Sequence, residues 1–249
     1  MNLLAVDTAT SRFSAALRTE QGEWYFEAGA GLRHSELIMD SVDLLTQKAG
    51  LKPADLSAVL CMGGPGSFTG LRIGFSLAKG LALSLDIPFS PVPTLDCMAH
   101  PFSIWPGLVV PVIDAKKNAF FCALYRDGGR LTPFMDAEAP AIARTIAGAL
   151  SGENPPVLLA GPDAETLRRR LEKDCPRELP PGILRTSPFY GGARSLLELA
   201  PQDIVKNREI FDNNVARFAG PEYIRKSVAE LPLHWDSKAE EQWLNIPGM

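Results

Sequence analysis

The chain has 249 residues, of which 46% are hydrophobic and 22% charged, with a formal net charge of −4. That length holds one large or two ordinary domains, and the composition is that of a folded globular chain rather than a disordered one. Non-specific nucleic-acid binding draws on clustered Lys and Arg. Here the longest basic run is Arg168-Arg169-Arg170, on a helical pattern, so any RNA contact needs a partner that supplies most of the phosphate neutralisation.

Leu3–Asp7 is a short apolar run closed by an acid, and Arg12–Glu20 alternates weakly before a turn at Gly22. Apolar runs bounded by turn residues predict strands, and two of them around a short turn predict a hairpin. The first residues carry no basic stretch before an apolar core, which predicts no secretory leader. In the predicted helix His34–Ala49, residues Ile38, Val42, Leu45 and Ala49 make one apolar stripe, while Leu37, Met39 and Leu44 lie outside it. One stripe docks a helix on its own sheet; the surplus predicts a second contact. His34, just before Ser35-Glu36, reads as a local cap or surface residue.

Ala58–Met62 predicts a strand, followed by a glycine-rich turn, Gly63-Gly64-Pro65-Gly66-Ser67-Phe68-Thr69-Gly70, and a helix from near Leu71 to about Leu85. Glycines there allow positive φ and close approach, and a helix N-terminus offers N–H groups to an anion. The helix is apolar on nearly every side, which predicts burial on more than one face. Gly70, Gly74, Ala78 and Ala82 form a ridge of small side chains that lets a neighbour come close. Two readings follow: a central helix buried in its own domain, or a helix–helix seam with another subunit. A membrane span is disfavoured, because the apolar run is about fifteen residues and includes two cations, against the roughly 20 needed.

Prolines punctuate Pro88–Gly107, and a linker is expected near His100–Gly107. From Leu108 the opening pattern repeats: Leu108–Asp114 is apolar and ends in an acid, then comes Asn118–Arg126, then Gly128-Gly129. Without gaps, Asp7 aligns with Asp114, Ala16 with Ala123, Leu17 with Leu124 and Gly22 with Gly129. Helical patterns follow at Ala139–Leu150 and Ala164–Lys173, a strand-like run at Val157–Ala160, a proline-rich zone at Cys175–Pro188, and a last helix around Ala193–Leu199. The chain reads as two α/β units of related design: residues 1–104, residues 105–232 whose last helix is free to pack back on the first unit, and a loosely ordered tail at 233–249. Four widely spaced cysteines, Cys61, Cys97, Cys122 and Cys175, favour a reducing cytoplasm over a disulfide framework.

The chemistry is sparse. Asp7, with Thr8 and Thr10 in the turn behind it, has two readings: holding a metal-bound phosphate, or capping its own turn. With Gly64, Gly66 and Ser67 these residues form the candidate nucleotide or anion site. Three scattered histidines, His34, His100 and His234, make no metal-binding pair of usual spacing. Gly66-Ser67-Phe68-Thr69-Gly70 puts Phe where a hydrolase elbow needs the nucleophile, and no Gly-Lys-Ser/Thr closes the glycine run as a P-loop would. No catalytic residue and no metal ligand is assigned.

Several segments together resemble the TsaB (YeaZ) family. They are Asp7-Thr8-Ala9-Thr10, His34-Ser35-Glu36, the block Gly64–Gly74, Lys79-Gly80-Leu81-Ala82, Asp114-Ala115 and Pro221-x-Tyr223-x-Arg225. The likeness is strong to about residue 125, weak to about 215, and returns at Pro221–Glu230. It implies two tandem RNase H-like domains of the actin/Hsp70/sugar-kinase (ASKHA) type. It also implies a part in making N6-threonylcarbamoyladenosine at position 37 of tRNAs that read ANN codons. In that family the catalytic subunit is the paralogue TsaD, TsaE is an ATPase partner, and TsaB-like chains are required partners without a metal site. The resemblance thus implies no cofactor of the chain's own, ATP only at the level of the complex, tRNA contact only through the complex, a homodimer when alone, and no membrane. The family's seam uses the first domain's helices, which places candidate partner contacts at Leu37, Ile38, Ser41, Val42, Leu45, Leu71, Gly74, Phe75, Ala78 and Ala82. Asp114-Ala115-Lys116-Lys117 departs from relatives that carry arginine there. The competing readings are a nucleotide-binding ASKHA enzyme or glycoprotease-like peptidase acting alone, and a self-associating interaction module with no tRNA role.

Overall fold

A computed structural model describes residues 1–31, 33–150, 155–201, 204 and 221. The chain opens with an antiparallel meander, β1 (Leu3–Asp7), β2 (Arg12–Arg18) and β3 (Glu23–Gly29), followed by helix α1 (His34–Lys48). Strand β4 (Ala58–Met62), helix α2 (Phe68–Leu85), strand β5 (Phe89–Val92) and the short helix α3 (Thr94–Ala99) complete the first half. The sheet order is β3-β2-β1-β4-β5, with β4 and β5 parallel to β1.

The second half repeats this plan. Strands β6 (Leu108–Lys116) and β7 (Ala119–Cys122), a small hairpin β8 (Tyr125–Arg126) and β9 (Gly129–Arg130), and β10 (Met135–Glu138) precede helix α4 (Ala139–Leu150). Strand β11 (Val157–Ala160), helix α5 (Ala164–Asp174), strand β12 (Leu184–Thr186) and helix α6 (Ala193–Glu198) follow. The main path is β10-β7-β6-β11-β12, the first sheet's order again, with β8 added beside β6. These are two tandem RNase H-like domains of the ASKHA type, and Asp7 and Asp114 stand toward the ends of their equivalent first strands.

The unbroken apolar runs of β1, β4, β6 and β11 are explained by their position. Strands at the centre of a sheet with both faces covered need apolar groups on both sides. Alternate residues of one strand point to opposite faces. Leu4, Val6, Phe13, Ala15, Leu17, Val59 and Cys61 meet α1 and α2 on one face. Leu3, Ala5, Ala16, Leu60 and Met62 meet Ala193, Leu196 and Leu197 of α6 on the other. The second sheet buries Leu108, Val110, Val112, Phe120 and Cys122 under α4 and α5. Its far face, with Val109, Ile113, Ala123 and Ala160, is covered by Leu95, Met98 and Ala99 of α3. Each half therefore lends its last short helix to the other half's sheet. His100 and Glu198, at 3.1 Å, link the ends of the two exchanged helices.

Several sequence expectations need correction. Helix α2 starts at Phe68 rather than near Leu71, because Ser67 is its cap and Ser67 Oγ accepts from the Gly70 N–H at 3.2 Å. The proline-punctuated stretch contains β5 and α3: Pro91 is tolerated because β5 is an edge strand, and Pro93 stands just before the helix. Strand β12 lies within the second proline-rich zone, and the short edge strand β10 was not anticipated either. Tyr223 and Arg225 of the Pro221-x-Tyr223-x-Arg225 motif, and the tail 233–249, lie outside the described residues. Among the described residues no helix is long and apolar enough to cross a membrane.

Candidate functional site

The structure brings the candidate anion residues together, then uses their polar groups on one another. Asp7 ends β1 fully buried. Its Oδ1 accepts from the Ala9 N–H at 2.9 Å and its Oδ2 from the Gly192 N–H, just before α6, at 2.7 Å. Burial pushes its carboxyl up to about 6, against the pull of those two N–H groups. Thr8 Oγ1 donates to the Gly70 carbonyl at 2.7 Å, and the Ser67 N–H donates to the Ala9 carbonyl at 2.7 Å. Thr10 Oγ1 accepts from the Arg12 N–H at 3.2 Å. The Gly64 N–H reaches Thr94 Oγ1 at 3.2 Å, and the Gly64 carbonyl accepts from the Thr94 N–H at 2.8 Å.

Close approach explains the glycines. A Cβ on Gly66 would stand 2.6 Å from the Ala9 carbonyl oxygen, and one on Gly74 would stand 2.5 Å from Thr8 Oγ1. A Cβ on Gly70 would collide with the Thr8 carbonyl. Gly191 and Gly192 let the second half approach in the same way, against Ser14 and against Met62 and Asp7. The Gly64–Gly74 block is thus a packing joint between the turn after β1 and the start of α2.

This corrects the reading of the small ridge. Gly70, Gly74, Ala78 and Ala82 face the chain's own sheet and its Thr8 turn, where all four are buried. Leu71 and Phe75 are buried too, and so are Ile38, Ser41, Val42 and Leu45 on α1. Of the ten candidate partner residues Leu37 keeps partial exposure and Ile38, though largely buried, borders the outer face; the other eight are buried. His34 is neither cap nor surface residue. Its ring packs edge-on to Phe13, and Nε2 lies 2.8 Å from the Thr10 carbonyl, an acceptor only, so Nε2 carries the hydrogen. Burial lowers its pKa.

The same two helices offer a different surface, the side turned away from the sheet. Ser35 and Ile38 of α1, with Phe68, Thr69, Arg72, Ile73, Ser76 and Leu77 of α2, line an open groove of about 440 Å³. Its floor is apolar, and at one end the Arg72 guanidinium lies 3.8 Å over the Phe68 ring. Met39, Leu44 and Leu83 stand exposed on the same helices, Leu83 at 67%. The usable signal in the sequence was the remainder: apolar residues left over once each helix's core stripe is removed.

The turn after β6 differs from its counterpart after β1. Asp114 Oδ1 accepts from the Lys116 N–H at 2.7 Å and Oδ2 from Lys116 Nζ at 2.8 Å, while the Asp114 N–H donates to Asp163 Oδ2 at 2.8 Å. Partial burial raises the Asp114 carboxyl, but the bonds from Lys116 outweigh it and hold the pKa below its usual value. Lys116, Lys117 and Asn118 all take left-handed φ, which costs about 1–2 kcal/mol at each of the two lysines. Among the described residues no three His, Cys, Asp or Glu side chains gather as metal ligands would.

Comparisons with known proteins agree with this fold. The family model described as "TsaD: tRNA N6-adenosine threonylcarbamoyltransferase" matches residues 28–233. The tRNA threonylcarbamoyladenosine biosynthesis protein TsaB of Bacillus subtilis is 32% identical over 198 residues, covering 78% of this chain and 81% of the relative. TsaB of Escherichia coli is 35% identical over 162 residues, covering 61% and 69%. Among solved structures, YeaZ from Pseudomonas aeruginosa superposes with a TM-score of 0.64 at 24% identity, over 83% of this chain and 93% of that one. A second structure, described as having similarity to peptidase YEAZ from the same organism, gives 0.69 at 25% identity, over 90% and 99%. Two RNase H-like sheets, the Gly64–Gly74 joint and these relatives lead to one conclusion: the chain belongs to the TsaB (YeaZ) family of tRNA threonylcarbamoyladenosine biosynthesis proteins.

Proposed function

We propose that this chain is a non-catalytic partner subunit for N6-threonylcarbamoyladenosine formation on tRNA, and that it holds a TsaD-type catalytic subunit against the outer face of α1 and α2, with TsaE joining the assembly. The observation that carries this reading is the groove between those helices. Ile38, Ile73 and Leu77 give it an apolar floor inside a rim of Ser35, Thr69, Arg72 and Ser76. An apolar centre inside a polar rim is the usual anatomy of a protein interface. A second copy of the chain would use the same face when the partner is absent, so homodimer and heterodimer compete.

The closed turn after β1 supports a role without chemistry of its own. Asp7 has both carboxylate oxygens on backbone N–H groups, and Thr8 spends its hydroxyl on Gly70, so neither is poised toward a metal-bound phosphate. Of the cysteines, Cys61 is fully buried with its thiol pushed up to about 12 by that burial, which is the reverse of an activated nucleophile.

The test is depletion of the protein followed by mass spectrometry of digested tRNA. The modified nucleoside should vanish, and return with the wild-type chain but not with Ile73→Glu/Leu77→Glu. Unchanged modification after depletion contradicts the proposal.

A further inference from the structure

The turn joining β6 to β7 carries a cost that folding alone does not require. Lys116, Lys117 and Asn118 take φ of 63°, 52° and 65° in succession. Asparagine tolerates that region and glycine occupies it without a Cβ penalty; lysine does neither. A turn selected only for closure would be better served by Gly or Asn at 116 and 117. Backbone strain of this kind concentrates where a segment does something besides fold.

What the lysines add is positive charge on a braced support. The Lys116 side chain is 82% exposed, and Lys117 is exposed beside it. The backbone beneath them is fixed from two sides. Asp114 Oδ1 accepts the Lys116 N–H at 2.7 Å, and Arg170 of α5 donates to the Asn118 carbonyl at 3.3 Å and to its Oδ1 at 3.1 Å. The Arg170 guanidinium also stands 5.5 Å over the Phe120 ring, which brings a third cation to the same tip. Two acids bond this turn directly, and exposed Glu138 stands in register with Ala119 beside it. Asp163 is committed to the Asp114 N–H. Asp114 pairs with Lys116 Nζ at the surface, where ion pairs contribute little and exchange readily. In the first half the equivalent turn, Thr8-Ala9-Thr10, is uncharged and buried.

We propose that Lys116 and Lys117, on the turn steadied by Arg170, form a phosphate-backbone contact for the RNA substrate. The proposal rests on the reading of this chain as a subunit of a tRNA-modifying assembly. Such a contact positions the RNA without reading its sequence. It is also compatible with a net charge of −4, because a local contact of two lysines adds to a larger basic surface supplied by the partner.

The experiment measures binding of an unmodified tRNA transcript to the assembled complex across a salt series. Each phosphate contact contributes about 0.7–0.9 to the slope of log K against log salt. Lys116→Gln/Lys117→Gln should therefore flatten the slope by about 1.4–1.8 and weaken binding roughly tenfold, equally for different tRNAs. Lys116→Arg/Lys117→Arg should keep the wild-type slope. An unchanged slope in the Gln variant, with the complex intact by ultracentrifugation, overturns the proposal. So does a variant that loses binding of ATP or inorganic pyrophosphate while its tRNA slope stays the same, because the phosphate would then belong to a nucleotide. If the complex binds tRNA equally well without this chain, this inference falls, while the functional reading stands or falls by the depletion experiment. If binding needs the chain but not the lysines, only this inference falls.

Discussion

The turns after β1 and β6 occupy equivalent places in the two halves, yet each has a different relation to its surroundings. After β1, Asp7-Thr8-Ala9-Thr10 is buried, and its hydrogen bonds run to α2, to Gly192 and to His34. After β6, Asp114 leads into an exposed, left-handed Lys116-Lys117-Asn118 tip. The two halves share the strand order and the acid but differ in what surrounds it. Gly191-Gly192 and the Gly64–Gly74 block close over the first turn; Asp163 and Arg170 leave the second open. An acid at the end of a strand thus has no fixed meaning, and what its oxygens face decides its role.

The largest effect should come from forcing the closed turn open. Gly70→Val puts side-chain atoms into the fixed Thr8 carbonyl, and overpacking against backbone that cannot retreat should cost about 3 kcal/mol or more. Urea unfolding measures it; wild-type stability in this variant would break the account of the joint. The bulk of the Gly64–Gly74 block would then need another explanation.

A smaller effect concerns the charge inside that turn. The Asp7 carboxyl is raised to about 6 in the fold from 3.8. Its protonated form therefore favours the folded state below pH 4, and that contribution, about 2–3 kcal/mol, is lost as the pH rises through 6. Asp7→Asn should remove this pH dependence between pH 4 and 6, whatever its absolute stability. Unfolding free energies measured in parallel for both proteins across that window would show it. A wild-type slope surviving in the variant would assign the titration to another group.

The smallest effect lies at the open turn. Lys117→Gly relieves one left-handed lysine but adds freedom to the unfolded chain, so the gain should be about 0.5 kcal/mol. Thermal unfolding should show a midpoint slightly above wild type. A midpoint several degrees lower would mean the lysine supports the fold, and the strain argument would fail.

The two-unit plan was legible because central strands must be apolar on both faces and end where the chain turns, so Leu3–Asp7 and Leu108–Asp114 announced themselves. Strand β5 and helix α3 were hidden by prolines, since an edge strand accepts Pro91 without losing an inner ladder bond. The packing of α3 on the second sheet left no local trace, because a short apolar helix does not name the sheet it covers; for α6 the sequence left packing on the first unit open. The site was half legible. The sequence marked α1 and α2 as carrying more apolar surface than one sheet needs. It could not distinguish a ridge of Gly70, Gly74, Ala78 and Ala82 against another subunit from the same ridge against Thr8, because small residues at helical spacing accommodate either neighbour. The groove residues Phe68, Ile73 and Leu77 emerge only once the buried face is known.

The proposed function stands or falls on whether the outer face of α1 and α2 binds the catalytic partner. Its most direct test is co-purification of the chain with TsaD, comparing wild type with Ile73→Glu/Leu77→Glu, two half-buried positions lining the groove. The account predicts that the variant unfolds cooperatively, as wild type does, yet fails to retain TsaD. Retention of TsaD at the wild-type level by a folded variant would contradict it.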